Sequence, residues 1–202
     1  MLSSQVGDKT EGSNKAVAAE CIEHPDYLDE IDGGLKSNDS NLVSDCIEVM
    51  TEVSTSDPEL IVPYAPDIIP LIKSKTTKTR WEAVHTLANI AILISPLLVS
   101  ELEYIKSLIE NDKSVIVRDY SVDIVGHIAA YSQDIAKKAF PILKMTLDKW
   151  GERHAKQVFN GMINVAKLCP EYSSEILGYA EAYKDAKKGT VKKVANKIMK
   201  SN

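Results

Sequence analysis

Aromatic side chains are scarce in this chain of 202 residues: two Phe, two Trp and eight Tyr make up 6% of it. An apolar core must therefore be built from Ile, Val, Leu and Ala, which dominate the 44% hydrophobic fraction. Cysteine is scarcer still. Cys21, Cys46 and Cys169 are odd in number, far apart and form no Cys-x-x-Cys pair, which argues against a disulfide framework or a zinc site. No apolar run approaches the roughly 18 residues of a membrane span, and no basic stretch followed by an apolar one opens the chain, so the expectation is a cytoplasmic protein without a membrane partner. A glycine-rich phosphate loop, a Gly-x-Ser-x-Gly elbow, a zincin helix and a calcium loop are all missing. These absences point away from an enzyme and call for no cofactor or metal.

What is present is periodicity. The segment Asp112-Lys-Ser-Val-Ile-Val-Arg118-Asp-Tyr-Ser-Val-Asp-Ile-Val-Gly-His-Ile-Ala129 recurs in degenerate form along most of the chain. Three columns carry it: Cys46, Ala83, Ser121, Val158, Val194; Ile47, Val84, Val122, Phe159, Ala195; and Met50, Leu87, Val125, Met162, Ile198. Each steps by 37, 38, 37 and 36 residues. A period of that size marks a helical-repeat array, in which each unit buries its apolar face only by stacking on the next. Pro25, Pro58, Pro96 and Pro170 open apolar-periodic runs, as expected when proline takes the first helical position. First helices are predicted near residues 25–36, 59–74, 96–111, 133–148 and 171–186, and second helices near 39–54, 77–94, 114–131, 151–168 and 188–200. Pro66, Tyr104, Pro141 and Gly178 share a column in which bends are expected. Gly33 and Gly34 are expected to weaken or end the helix that Asp26 and its acidic neighbours begin.

A first helix with an internal proline, an Asp in the turn, Val-Arg six residues on and a small-residue-rich second helix resembles the HEAT repeat. Asp112, Val117 and Arg118 carry the full pattern; Pro66 and Arg80 carry part of it. The resemblance covers about residues 25–200 and implies an all-α, right-handed α-α superhelix (solenoid) of about five HEAT-like helix pairs. A three-helix armadillo unit fits a 37-residue step less well. The predicted organisation is a flexible segment over 1–23, unstructured to residue 12 and then able to form a short capping helix, followed by one repeat domain over 24–202.

HEAT-like arrays carry partners on the concave side, which the second helices line. Helical spacing assigns outward stripes to Ser44, Glu48, Glu52; Trp81, His85, Asn89; Asp119, Asp123, His127; Lys156, Asn160, Asn164; and Lys192, Asn196, Lys200. The stripes pass from acidic to basic. Residues 1–74 hold 4 Lys against 15 acids, and residues 75–202 hold 20 Lys and Arg against 14 acids, so −11 and +6 make up the net −5. Such a gradient orients a partner of opposite polarity, although soluble end faces explain it equally well.

Trp81, beside Arg80, is the first candidate for a binding anchor, because Trp and Arg are enriched at interface hot spots. Packing against a neighbouring unit is its structural alternative. Tyr120 lies one repeat along. His85, Asn89, Asp119, Asp123, His127, Lys156 and Asn160 complete the candidate surface. Glu82 and His85 have Glu-x-x-His spacing, but one copy makes no metal site, and the other histidines show no comparable partners. Metal enzymes of the deoxyhypusine hydroxylase type share the implied architecture but depend on His-Glu dipeptides, which are absent. The reading is a non-enzymatic adaptor or scaffold for a protein or peptide. The alternative is a nucleic-acid-binding HEAT-like protein, or a divergent relative of the alkylpurine DNA glycosylases, resting on the C-terminal lysines Lys187 to Lys200. A HEAT-like accessory protein related to lyases is a third reading.

Overall fold

The computed structural model describes residues 1–7 and 10–200, and every regular element among them is helical. The α-helices are, in order, α1 (Ser3–Val6), α2 (Gly12–Glu23), α3 (Leu28–Leu35), α4 (Ser40–Ser56), α5 (Ala65–Ile68), α6 (Thr77–Ile90), α7 (Ser95–Ser100), α8 (Leu102–Asn111), α9 (Val115–Ile128), α10 (Gln133–Trp150), α11 (Ala155–Leu168), α12 (Ser173–Ala182) and α13 (Gly189–Lys200). Tight 3-10 turns at Pro25–Tyr27, Pro58–Tyr64 and Pro170–Tyr172 open the first helices of their pairs. Proline is tolerated there because a helix's first amides have no intrahelical acceptor to lose. Side-chain caps start others: Asp39 accepts from the Asn41 amide, Ser114 from Val117 and Ser132 from Ile135.

Departures from expectation have local causes. Pro63, Pro66 and Pro70 fall in one stretch, each lacking an amide donor, and that first helix folds as 3-10 turns around the short α5. Pro141 and Gly178 sit inside unbroken α10 and α12, and the break near Tyr104 falls between α7 and α8, ahead of it. Helix α3 ends at Leu35, just beyond Gly33 and Gly34, near the expected stop. A Cβ at Gly34 would collide with the Cys46 Sγ, so this glycine lets α4 approach. Residues 3–6 form a helical turn within the stretch expected to be unstructured, tied down where the Ser3 amide donates to Asn14 Oδ1 at 2.9 Å. Asp8 and Lys9, in that same stretch, lie outside the described residues.

Contacts group the chain into two compact units, Met1–Ile94 and Ser95–Asn202. In the first, α4 is central and carries α1, α2, α3 and α6. In the second, α9, α11 and α13 form a row, with α8 and α10 packed on α9, α10 also on α11, and α12 on α13. The three core columns are buried throughout, except that Val194 is half-buried in the last repeat. All three cysteines are free and buried.

Neighbouring second helices meet in a fixed register. The hydroxyls of Ser44 and Thr79 lie 2.8 Å apart, as do those of Thr51 and Thr86, and Asn89 Nδ2 donates to Ser54 Oγ at 2.9 Å. Each pair is 35 residues apart, whereas equivalent positions are 37 apart in this part of the chain. A shift of two residues turns through roughly 200° of helix, so one flank of each helix meets the opposite flank of the next. In the second unit the same offset brings Gly126 against Gly161, where a Cβ on Gly161 would stand 2.8 Å from the Gly126 Cα and 3.0 Å from Leu143.

Two substitutions in the second unit should act in opposite directions. Gly161→Ala should destabilise by about 1–3 kcal/mol, since backbone on the facing helix cannot yield as a side chain can. Ser121→Ala should stabilise by roughly 1 kcal/mol, because the buried Ser121 hydroxyl has no hydrogen-bond partner. Urea unfolding of both variants decides; a stable Gly161→Ala protein would contradict the close helix approach.

Candidate functional site

The first unit carries a groove of about 810 Å³ whose walls include Ser4, Asp45, Glu48, Lys78, Trp81 and Glu82. The 35-residue register builds it. Ser44 and Glu48, assigned to an outward stripe, are only 6% and 5% exposed, because α2 covers one flank of α4 and α6 the other. The trapped carboxylates are met individually. Asp45 accepts from the Ser4 amide at 2.6 Å and from Asn14 Nδ2 at 3.1 Å, and Asn14 donates also to Glu48 at 2.7 Å. The Lys78 ammonium lies 2.8 Å from Glu48 and 4.0 Å from Asp45. Burial opposes ionisation of Asp45, but its hydrogen bonds from Ser4 and Asn14 and the charge of Lys78 outweigh it, leaving the carboxyl below its ordinary range.

Glu82 is treated differently. One turn beyond Lys78 on α6, it is 7% exposed, lines the groove and pairs with no cation among the described residues. Burial pushes its carboxyl up to about 7, the charges of Glu48 and Glu52 push the same way, and Thr51 and Lys78 only partly oppose them. Trp81 is half-buried beside it.

In the second unit, His154 is wholly buried at the start of α11. The Arg118 Nε–H donates to its Nε2 at 3.2 Å; since guanidinium can only donate, the ring proton sits on Nδ1, which donates to Asp119 Oδ1 at 2.5 Å. The Arg118 guanidinium also lies 4.3 Å from the centre of the Trp150 ring and donates to the Asp112 carbonyl. Half-buried Asp123 faces the charges of His127, Asp119 and Lys156, and burial raises its carboxyl to about 6. Lys156 and Asn160 line a second groove, about 660 Å³, with Lys193, Asn196, Lys197 and Lys200.

The candidate surface therefore divides. Arg80, Trp81, His85 and Asn89 belong to the first unit. Arg80 Nη1 donates to the carbonyls of Ser74 and Lys75, at 2.8 and 3.2 Å, much as Arg118 serves Asp112. Asn89 is engaged with Ser54 and Thr55. His85 is half-buried, which lowers its pKa. In the second unit Asp119, Asp123, His127 and Lys156 are electrostatic neighbours, Asn160 is exposed in the basic groove, and Tyr120 is half-buried. Sequence reasoning passed over Asp45, Glu48, Lys78 and Glu82 as one cluster, and found no partner for His154. The offset of 35 would have joined Asp119 to His154.

No protein-family profile matches the chain, and no curated protein matches it in sequence. Its fold is nonetheless shared with solved helical-repeat proteins. A designed armadillo repeat protein superposes with a TM-score of 0.74 at 17% identity, covering 91% of this chain and 84% of that one. Another, solved in complex with the peptide (KR)4, gives 0.75 at 18% identity over 91% and 84%. An engineered protein gives 0.74 at 15% identity over 94% and 88%. The chain is an all-α helical-repeat solenoid. Armadillo folds, which the 37-residue step disfavours, are among its structural neighbours.

Glu82 also sets a pH signature. In the unfolded chain its proton leaves near 4.5 and in the fold near 7, so between these values the folded state binds more protons and stability falls as pH rises. A shift of that size corresponds to something on the order of 3 kcal/mol. Asp45, lowered in the fold, acts only below its ordinary value of 3.8, and Asp123 acts alike in parent and variant. Thermal melts from pH 5 to 8 should thus show Glu82→Gln overtaking the parent as pH rises; parallel curves would mean that Glu82 ionises normally.

Proposed function

We propose that this protein is a non-enzymatic, HEAT-like adaptor that holds a protein or peptide segment against the second helices of its first unit. The observation that carries the reading is the open groove across α4 and α6, with half-buried Trp81 in its wall. A volume of about 810 Å³ suits several side chains of an extended segment. Trp81 supplies a rigid apolar face of the kind that anchors interfaces. Arg80 and Asn89, spent on backbone and inter-helix bonds, hold the frame. That one structural neighbour was solved with a peptide supports a peptide as the occupant here. Three free, buried cysteines suit the reducing cytoplasm.

A second reading has its own observation. The groove of the second unit gathers Lys156, Lys193, Lys197 and Lys200, a surface suited to a polyanion such as nucleic acid.

Peptides selected from a displayed random library on the intact protein provide the test. Trp81→Ala should weaken the selected peptide by about tenfold or more, with an unchanged melting temperature. Equal affinity would remove Trp81 from the interface. Single-stranded DNA, titrated at several salt concentrations, addresses the other groove. Steep salt dependence, flattened when Lys156, Lys193 and Lys200 become Gln, would favour the polyanion reading.

A further inference from the structure

Resting on the groove reading above, the geometry points to the chemistry of the occupant: we propose that the groove of the first unit takes a lysine or arginine side chain of its partner, with Glu82 as the counter-charge that selects it. The groove already holds one ammonium. Lys78, from the chain itself, sits against Glu48 and Asp45, showing that an alkylammonium fits between these walls. Glu82 stands one turn further along the same helix, about nine-tenths buried, aimed into the same space and paired with no cation among the described residues. The Thr51 hydroxyl hydrogen-bonds to it, a weak answer to a buried charge. Trp81 adds a π-face beside it, which favours a cation on an apolar stem over a compact inorganic ion.

The surroundings repeat the preference. Around Glu82, α4 contributes Asp45, Glu48 and Glu52, and α6 contributes Lys78 and, one turn further on, His85. From α2, Lys15 pairs with Glu11 and approaches Glu52, to 4.0 Å. Asp45, Glu48 and Glu82 face the single ammonium of Lys78, an excess of negative charge that a further cation would balance and an acidic segment would add to. Binding is also coupled to a proton. Below about pH 7 Glu82 is neutral, so an arriving ammonium converts the carboxylic acid to carboxylate and one proton goes to solvent. Affinity for a cationic segment therefore rises with pH. Lysine side chains, ionised to about pH 10, do not contribute to that rise.

Fluorescence anisotropy with labelled octalysine, octaglutamate and an alternating Ser-Gly octapeptide tests this on the full chain at pH 5.5 and 8. The expected result is binding of octalysine alone, about tenfold or more tighter at pH 8. Glu82→Gln, nearly isosteric and able to fold without burying a charge, should bind octalysine weakly and equally at the two pH values. This comparison separates Glu82 from His85 and Asp123, which remain in both proteins. Octalysine affinity that is independent of pH in the parent, or a pH gain that survives Glu82→Gln, overturns the proposal. If library-selected peptides bind through Trp81 while octalysine does not bind, the cation preference fails and the peptide groove stands. If neither Trp81→Ala nor Glu82→Gln alters any binding, both fall.

Discussion

The side-by-side stacking of second helices is the constraint on which the rest depends. Helices repeated in one orientation must join the flank of one to the opposite flank of the next, and a half-turn of α-helix is close to two residues. Bonds therefore fall at the repeat period minus two, as Ser44 with Thr79 and Thr51 with Thr86 show. The same offset places Gly126 on Gly161, where only hydrogen separates the backbones. Both flanks of an inner helix are consequently covered. Residues that a single-helix view sends to solvent become part of a wall.

That covering explains the electrostatics of the first unit. Asp45 and Glu48 lie on α4 where α2 closes one side and α6 the other, and each is met by amide donors or by Lys78. Buried polar groups stabilise only when every member is satisfied, and an apolar replacement often serves stability as well or better. Glu82 is the member left short. A buried carboxyl with no ion-pair partner among the described residues, in a groove rather than a sealed core, costs stability when it ionises. The second unit resolves a similar problem internally, because Arg118, His154 and Asp119 satisfy one another in a chain.

Much of the fold was legible because apolar columns and prolines report directly on burial and helix starts. Ile47, Val84, Val122, Phe159 and Ala195 are all fully buried. Less legible was whatever depends on two helices at once. Glu48 reads as an exposed acid until α2 is placed over it, and His154 reads as solitary until the offset of 35 brings Asp119 to it. Gly34 reads as a helix terminator, yet its missing Cβ serves the approach of Cys46. The period favoured two helices per unit over three, a distinction blurred where clustered prolines cut the first helix near Pro63 into short turns. Trp81, set on an outward stripe by helical spacing and singled out by residue type, lines the groove.

The groove of the first unit holds a carboxyl group kept from its ordinary ionisation by burial among like charges. Carbon-detected NMR titration of the Glu82 side-chain carboxyl, on the free protein, measures this without reference to any partner. The expected midpoint is near 7. A midpoint at the ordinary glutamate value, near 4.5, would contradict it.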